Sequence, residues 1–179
     1  MSVRLALLLI TVGGCASAGP PEDVLSRQPA IYTSNETGTL LGEKPRPTVM
    51  TIAAPPTTVW FAIKKVHDEL AIPVTVDNPT AHQIGNANFY KTRVLAGQPM
   101  TTFVDCGSGM EGPKAASYRI YMSLLTVLTS DGSGGTSVQT TFVPTGQDMS
   151  GGASDRVSCG TTGRFEELFL DRVKATIAK

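Results

Sequence analysis

Cysteine and histidine side chains have the widest chemical repertoire in this chain, which contains three cysteines and two histidines. A thiolate at Cys106, with Asp105 beside it, would be a nucleophile if His67 or His82 served as its base. The same ligand types, with Cys159 added, could instead bind zinc. The sequence supports neither arrangement locally, because these residues are isolated and lack the short paired spacings of known zinc sites. We predict no catalytic residue and no metal site.

Two glycine-rich segments have sequence patterns similar to those of anion-binding loops. Residues 107–112 match the G-x-G-x-x-G pattern, in which the last glycine opens a helix that holds a pyrophosphate. Here Pro113 follows and the next element is predicted to be a strand, which favours a plain connection between strands. Residues 160–164, Gly-Thr-Thr-Gly-Arg, could hold a small anion at a helix start, but capping is the commoner use of such residues. We predict no cofactor.

Charge and composition exclude further classes of function. The chain has 15 basic and 15 acidic residues, so it lacks the basic surplus that nucleic-acid binding requires. Its carboxylates are scattered without a glycosidase-type pair, and no G-x-S-x-G nucleophile elbow is present. These observations predict a protein that is not an enzyme and does not bind nucleic acid.

The amino terminus has the order of parts of an export signal. A single cation, Arg4, precedes an apolar run over residues 5–12, and small residues follow. The run is far shorter than the roughly 20 residues that cross a bilayer as a helix. A cleaved signal is therefore predicted.

The four residues Val12-Gly13-Gly14-Cys15 resemble the lipobox of bacterial lipoproteins. The resemblance implies that residues 1–14 are removed and that Cys15 is lipidated and anchors the chain to a membrane. Val12 departs from the usual leucine, and a simple secretory signal cut near Ala16 or Ala18 is the alternative. Because Ala16 replaces the aspartate that retains such proteins in the inner membrane, the resemblance implies an outer-membrane protein facing the periplasm.

Lipidation of Cys15 would leave Cys106 and Cys159 as an even pair in an oxidising compartment. We therefore predict a disulfide between these two residues. It would join the end of a strand to the start of the last helix.

The chain is predicted to contain one folded domain, at residues 47–179. Residues 15–46 are rich in proline and polar residues and have little periodic apolar pattern, so they are interpreted as a lipidated end and flexible tether.

Apolar periodicity predicts an α+β domain with one antiparallel sheet of about six strands and two helices on one face. The first helix is predicted to run from a cap at Thr57 or Thr58 to about residue 71, with His67 on its polar side and Trp60 off its main apolar stripe. The last helix is predicted to begin near residue 161. Its apolar stripe comprises Phe165, Leu168, Phe169, Val173 and Ile177.

Predicted strands fill the space before and between these helices. They cover residues 48–53, 72–76, 82–90 and 100–106, and a clear pair covers 117–129 and 136–143 with a glycine-rich turn at 131–135.

This element order, with its strand-Pro-Pro-Thr-helix start and its lipid anchor, resembles the helix-grip modules of the C-subunit lipoprotein of the outer-membrane barrel-assembly machinery. It is also similar to other envelope lipoproteins of the same layout. The anchor, the tether and the absence of a reactive cluster predict a non-enzymatic interaction module with an envelope protein partner. The alternative is a module that holds a small apolar ligand in the cleft between the sheet and the last helix. The oligomeric state is left open.

Overall fold

A computed structural model of the chain describes residues 46–150 and 156–179. These residues belong to one compact unit, Thr39–Lys179. The fold is α+β, with a six-stranded antiparallel sheet and three helices. The predicted fold class is confirmed at that level. Cys15, the signal and the tether lie outside the described residues and stay predictions.

The elements follow one another in a simple order. The first half comprises β1 (Thr48–Ile52), α1 (Pro56–Glu69), β2 (Val76–Asn78), β3 (Gln83–Thr92), β4 (Val94–Leu95), β5 (Gln98–Pro99), a 3-10 turn (Met100–Thr102), β6 (Val104–Asp105), β7 (Ser108–Gly109) and β8 (Gly112–Pro113). The second half comprises α2 (Lys114–Ser117), β9 (Arg119–Ser130), β10 (Thr136–Gln147), β11 (Arg156–Ser158), β12 (Gly160–Thr161) and α3 (Arg164–Ile177).

The main sheet is built around the β9–β10 hairpin, whose strands pair over their full length from Arg119 with Gln147 to Ser130 with Thr136. β3 and then β2 extend the sheet on the β9 side. On the other side, β1 pairs with the first half of β10 and β11 with its last three residues. The predicted hairpin is confirmed, although β9 begins only at Arg119 because residues 114–117 form α2, and β10 runs on to Gln147.

The core lies between this sheet and the two long helices, which pack against each other. Alternate residues of β9 face the core, so that Ile120, Met122 and Leu124 are almost fully buried. Both predicted helix stripes are confirmed. The apolar residues predicted for α1 are all buried: Val59, Ala62, Ile63, Val66 and Leu70. In α3, Phe165, Phe169 and Val173 are buried, and Leu168 and Ile177 are partly buried.

Three local predictions were wrong. The first helix begins at Pro56 with Pro55 before it and no threonine cap, because a proline at the first helical position has no N–H to satisfy and already has a helical φ. The strand predicted at 72–76 is instead Val76–Asn78, since the N–H of Ile72 donates to His67 at the end of α1 and not to a strand.

The third correction concerns residues 100–106. A 3-10 turn and the two-residue strand β6 replace the predicted long strand there. The N–H of Met100 donates to Arg93 and that of Phe103 to Met100, so these backbone groups are satisfied within the loop.

Candidate functional site

The two cysteines of the folded part form a disulfide. The sulfur atoms of Cys106 and Cys159 lie 2.06 Å apart. Each cysteine lies next to one strand of the β6–β12 ladder, in which Asp105 pairs with Gly160. Cys106 therefore offers no free thiolate to serve as a nucleophile.

Gly146 of β10 lies directly beneath this disulfide. A Cβ atom at Gly146 would lie 3.2 Å from the sulfur of Cys159 and 3.3 Å from that of Cys106. The absence of a side chain at this position lets the bridge lie close to the sheet.

The two glycine-rich segments have structural roles. Residues 107–112 lie mainly in a tight hairpin formed by β7 and β8. The predicted strand after them is wrong in part, because the short helix α2 begins at Lys114, whose N–H donates to the carbonyl of Gly107. At the start of α3, the N–H of Gly163 donates to the Thr161 hydroxyl and that of Arg164 to the Thr162 hydroxyl. The Thr161 hydroxyl also contacts both carboxylate oxygens of Glu166 at 2.9 Å. These side chains satisfy the N–H groups of Gly163 and Arg164, although none of them caps the helix at Gly163.

His67 was predicted to be a solvated surface residue, and this was wrong. Its side chain is fully buried between α1 and α3, edge-on to Phe169 with ring centroids 5.4 Å apart. Its Nδ1 lies 3.1 Å from the carbonyl oxygen of Ile72, while its Nε2 is buried without a hydrogen-bond partner in the described chain. The spacing 59, 63, 67 already placed this residue on the apolar stripe. His82, by contrast, is exposed.

Burial favours the neutral form of His67. Nδ1–H donates to the carbonyl, which leaves Nε2 unprotonated in an apolar environment. Desolvation lowers the pKa of His67, and it outweighs the hydrogen bond to Ile72 and the charge of Asp68, which both raise it. A His pKa that is lower in the folded than in the unfolded chain stabilises the fold above the unfolded value of about 6.5, and this stabilisation is lost as the pH falls.

We therefore expect the free energy of unfolding to decrease as the pH falls below about 6.5, with a slope approaching about 1.4 kcal/mol per pH unit from His67. The variant His67→Asn keeps a donor for the Ile72 carbonyl but cannot titrate, so this part of the slope should disappear. Urea unfolding at a series of pH values measures it.

The matched control is His82→Asn at an exposed position with a positive φ of 51°, which asparagine tolerates. Glu166 acts in the opposite direction, because burial raises its pKa and its contribution decreases as the pH rises above about 4.3. Both variants retain Glu166, so the difference in slope isolates His67. Equal slopes in the two variants would contradict the prediction.

The sheet face opposite the helices carries a cluster that the sequence analysis did not identify. It consists of Tyr90, Arg119, Tyr121, Gln147 and Arg156, and we refer to it as the tyrosine–arginine cluster. Arg119, Gln147 and Arg156 occupy one row across β9, β10 and β11, and Tyr90 and Tyr121 are partners in the neighbouring row.

The members of the cluster contact one another. The Arg156 guanidinium carbon lies 3.7 Å from the centroid of the Tyr121 ring, and that of Arg119 lies 5.2 Å from the Tyr90 ring. The two rings are 5.8 Å apart, and the Tyr121 hydroxyl donates to Gln147 Oε1 at 3.1 Å. Contacts of this kind are favourable cation–π interactions, and they hold planar groups in fixed orientations.

The cluster is accessible and positively charged. Tyr90 is 59% exposed and Arg156 is also exposed. Hydrogen bonding and charge from Arg119, with a smaller effect from Arg156, lower the pKa of Tyr121. Among the residues that the structure describes, neither arginine forms a salt bridge with a carboxylate, and the buried Nε of Arg119 has no hydrogen-bond partner.

A β-bulge in β3 brings Tyr90 into the cluster. Asn86 pairs with Leu124 and Phe89 with Met122, so β3 has one extra residue between these pairs. Asn86 is buried and accepts the N–H of Asn88 through Oδ1 at 2.8 Å, while the Thr75 hydroxyl accepts the N–H of Ala87. The extra residue turns Phe89 towards the core and Tyr90 to the open face.

The residues considered above as metal ligands do not lie together in one group. Over residues 46–150 and 156–179, no group of three or more His, Cys, Asp or Glu side chains is placed to hold a metal ion. No helix in the same ranges is long and apolar enough to cross a membrane.

The chain matches no protein-family model, and no curated protein matches it either.

Proposed function

We propose that this protein is a non-enzymatic lipoprotein of the bacterial envelope, tethered through Cys15, whose folded domain contacts an envelope protein through the tyrosine–arginine cluster. The cluster is the observation that carries the proposal. Tyrosine and arginine are the residue types enriched where protein interfaces concentrate their binding energy. Exposed rings and guanidiniums held in place by stacking lose little conformational entropy on binding.

The anchor and the fold are consistent with this role. The lipobox resemblance supports a membrane tether, with Ala16 favouring the outer membrane. In the helix-grip layout both long helices pack on one face of the sheet, and the cluster lies on the other face, where Tyr90 and Arg156 are exposed.

The apolar-ligand alternative has less support. Phe165 of α3 is fully buried, 4.7 Å from Phe142 of the sheet and 5.4 Å from Phe103, measured between ring centroids. These aromatic side chains occupy the space between α3 and the sheet, where an apolar ligand would have to bind.

Site-specific photocrosslinking in the native envelope tests the proposal. Benzoylphenylalanine at position 90 should give one discrete adduct with an envelope protein, and Arg119→Ala with Arg156→Ala in the same chain should abolish it. The same probe at Phe61, which is 71% exposed on α1, is the matched control and should give no such adduct.

The variant Cys15→Ser controls for the tether. It should move the protein from the membrane to the soluble fraction and reduce the adduct. Equal adducts from positions 90 and 61, or adducts that persist without both arginines, would contradict the proposed docking surface. Membrane retention of the Cys15→Ser protein would contradict the anchor.

A further inference from the structure

The arginines of the tyrosine–arginine cluster present their donors in a defined geometry. Each guanidinium has five N–H donors, of which a hydrogen bond to a tyrosine hydroxyl uses only part, and two parallel donors match a carboxylate. The guanidinium carbon of Arg156 lies 3.7 Å from the centroid of the Tyr121 ring. Arg119 lowers the pKa of the same tyrosine through a hydrogen bond and its charge. Two guanidiniums therefore border one ring on the open side of the sheet.

We infer that this surface recognises an extended acidic peptide segment that presents two carboxylates, one to Arg119 and one to Arg156. The inference rests on the proposed function and specifies the chemistry of the partner. Alternate side chains of an extended peptide lie on one face about 7 Å apart, so two acidic side chains of such a peptide can face the cluster at once. The phenol rings would contact the peptide backbone between the carboxylates.

Charge distribution favours a short acidic peptide over a polyanion. The 15 basic residues of the chain are balanced by 15 acidic ones, so the protein lacks the long-range positive field that attracts nucleic acids or anionic membranes. The positive charge on this face is local. Among the side chains of residues 46–150 and 156–179, no carboxylate forms a salt bridge with either arginine.

The binding of synthetic peptides to the full mature lipoprotein in a neutral detergent tests the inference. The probe is acetyl-Gly-Glu-Thr-Glu-Gly-amide, and its matched control has glutamine in place of both glutamates. NMR titration should shift the side-chain signals of Tyr90 and Tyr121 with the acidic peptide. The indole signal of Trp60 on α1 should stay in place, since this residue lies on the helix side of the sheet.

Variants that keep the positive charge distinguish hydrogen bonding by the arginine side chains from electrostatic attraction alone. Arg119→Lys with Arg156→Lys keeps both charges but removes the planar donor pairs, and it should weaken peptide binding at least about tenfold. Arg172→Lys on α3 is the control and should bind as the unmodified protein does. Unchanged signals of Trp60 show that the variants are folded.

Three results would overturn the inference: equal binding of the glutamine peptide, equal affinity of the double lysine variant, or signal shifts caused by inorganic phosphate or anionic lipid vesicles but not by the acidic peptide. If the acidic peptide binds but position 90 gives no crosslink, the proposed docking function fails and this inference stands. If position 90 crosslinks a protein but no acidic peptide binds, the inference fails and the docking function stands.

Discussion

Reduction of the Cys106–Cys159 disulfide should lower the free energy of unfolding by about 4 kcal/mol. The two cysteines are 53 positions apart, and on the chain-entropy model a loop of this size restricts the unfolded chain by that amount. For a domain of this size the melting temperature should fall by about 10–20 °C. Thermal unfolding with and without reductant measures the effect.

The position of the bridge determines which part of the fold depends on it. It joins β6 to β12 immediately before α3, and α3 supplies Phe165 and Phe169 to the core. Only a few hydrogen bonds hold the same junction, among them those from the N–H and hydroxyl of Thr162 to the carbonyls of Phe103 and Thr102. Without the bridge, the start of α3 would depend on those bonds and on core packing.

A double variant, Cys106→Ser with Cys159→Ser, provides the control. It should melt at the temperature of the reduced protein and be insensitive to reductant. Alkylation of the Cys15→Ser chain should label no thiol before reduction and two after it. A labelled thiol before reduction, or a melting temperature that reductant leaves unchanged, would contradict the prediction.

The variant Gly85→Ala should destabilise the domain by about 3 kcal/mol or more. A Cβ atom at Gly85 would lie only 2.0 Å from the carbonyl oxygen of Leu124, and the backbone φ of +153° is one that alanine rarely adopts. The backbone of β9 cannot easily move away from Gly85, because β9 is paired with β3 on one side and with β10 on the other. Overpacking typically costs about 1–3 kcal/mol where neighbours can relax, and more where they cannot.

The matched control is Gly112→Ala. Gly112 has a φ of +106° but no atom within 4 Å of the added Cβ, so it should lose only the backbone strain of about 1–2 kcal/mol. Chemical denaturation of both variants separates the clash from the strain. Equal losses would show that contact with Leu124 is unimportant.

Gly85 also lies just before the bulge that places Tyr90. If Gly85→Ala shifts the pairing of β3 with β9 by one residue, every later side chain of β3 moves to the other face. Tyr90 would then leave the open face, so this variant should lose the crosslink from position 90 as well as stability.

Local pattern determined much of the architecture. The i, i+3, i+4 spacing of apolar residues in α1 and α3, and the alternation of apolar and polar residues in β9, depend only on the period of each element. They predicted the two helix stripes, the central hairpin and the α+β class. The pairing of Cys106 with Cys159 followed from counting cysteines once Cys15 was assigned to lipid.

The alternation in β9 also indicated the relative positions of two of the five residues of the tyrosine–arginine cluster. It placed Arg119 and Tyr121 together on the face opposite Ile120 and Met122. What it could not supply was the neighbours of these residues, because strand register is a property of two strands and not of one.

Tertiary structure decided the rest. Regular alternation in β3 from Ile84 and Asn86 would bury Tyr90, and only the bulge held by Asn86 and Thr75 turns it outward beside Tyr121. Arg156 reaches the cluster because β11 pairs with the end of β10. His67 is buried because α3 packs Phe169 against it. The contacts of Thr75 with Ala87, of β11 with β10 and of Phe169 with His67 each join two different segments of the chain, and the pattern of a single segment does not specify its partner.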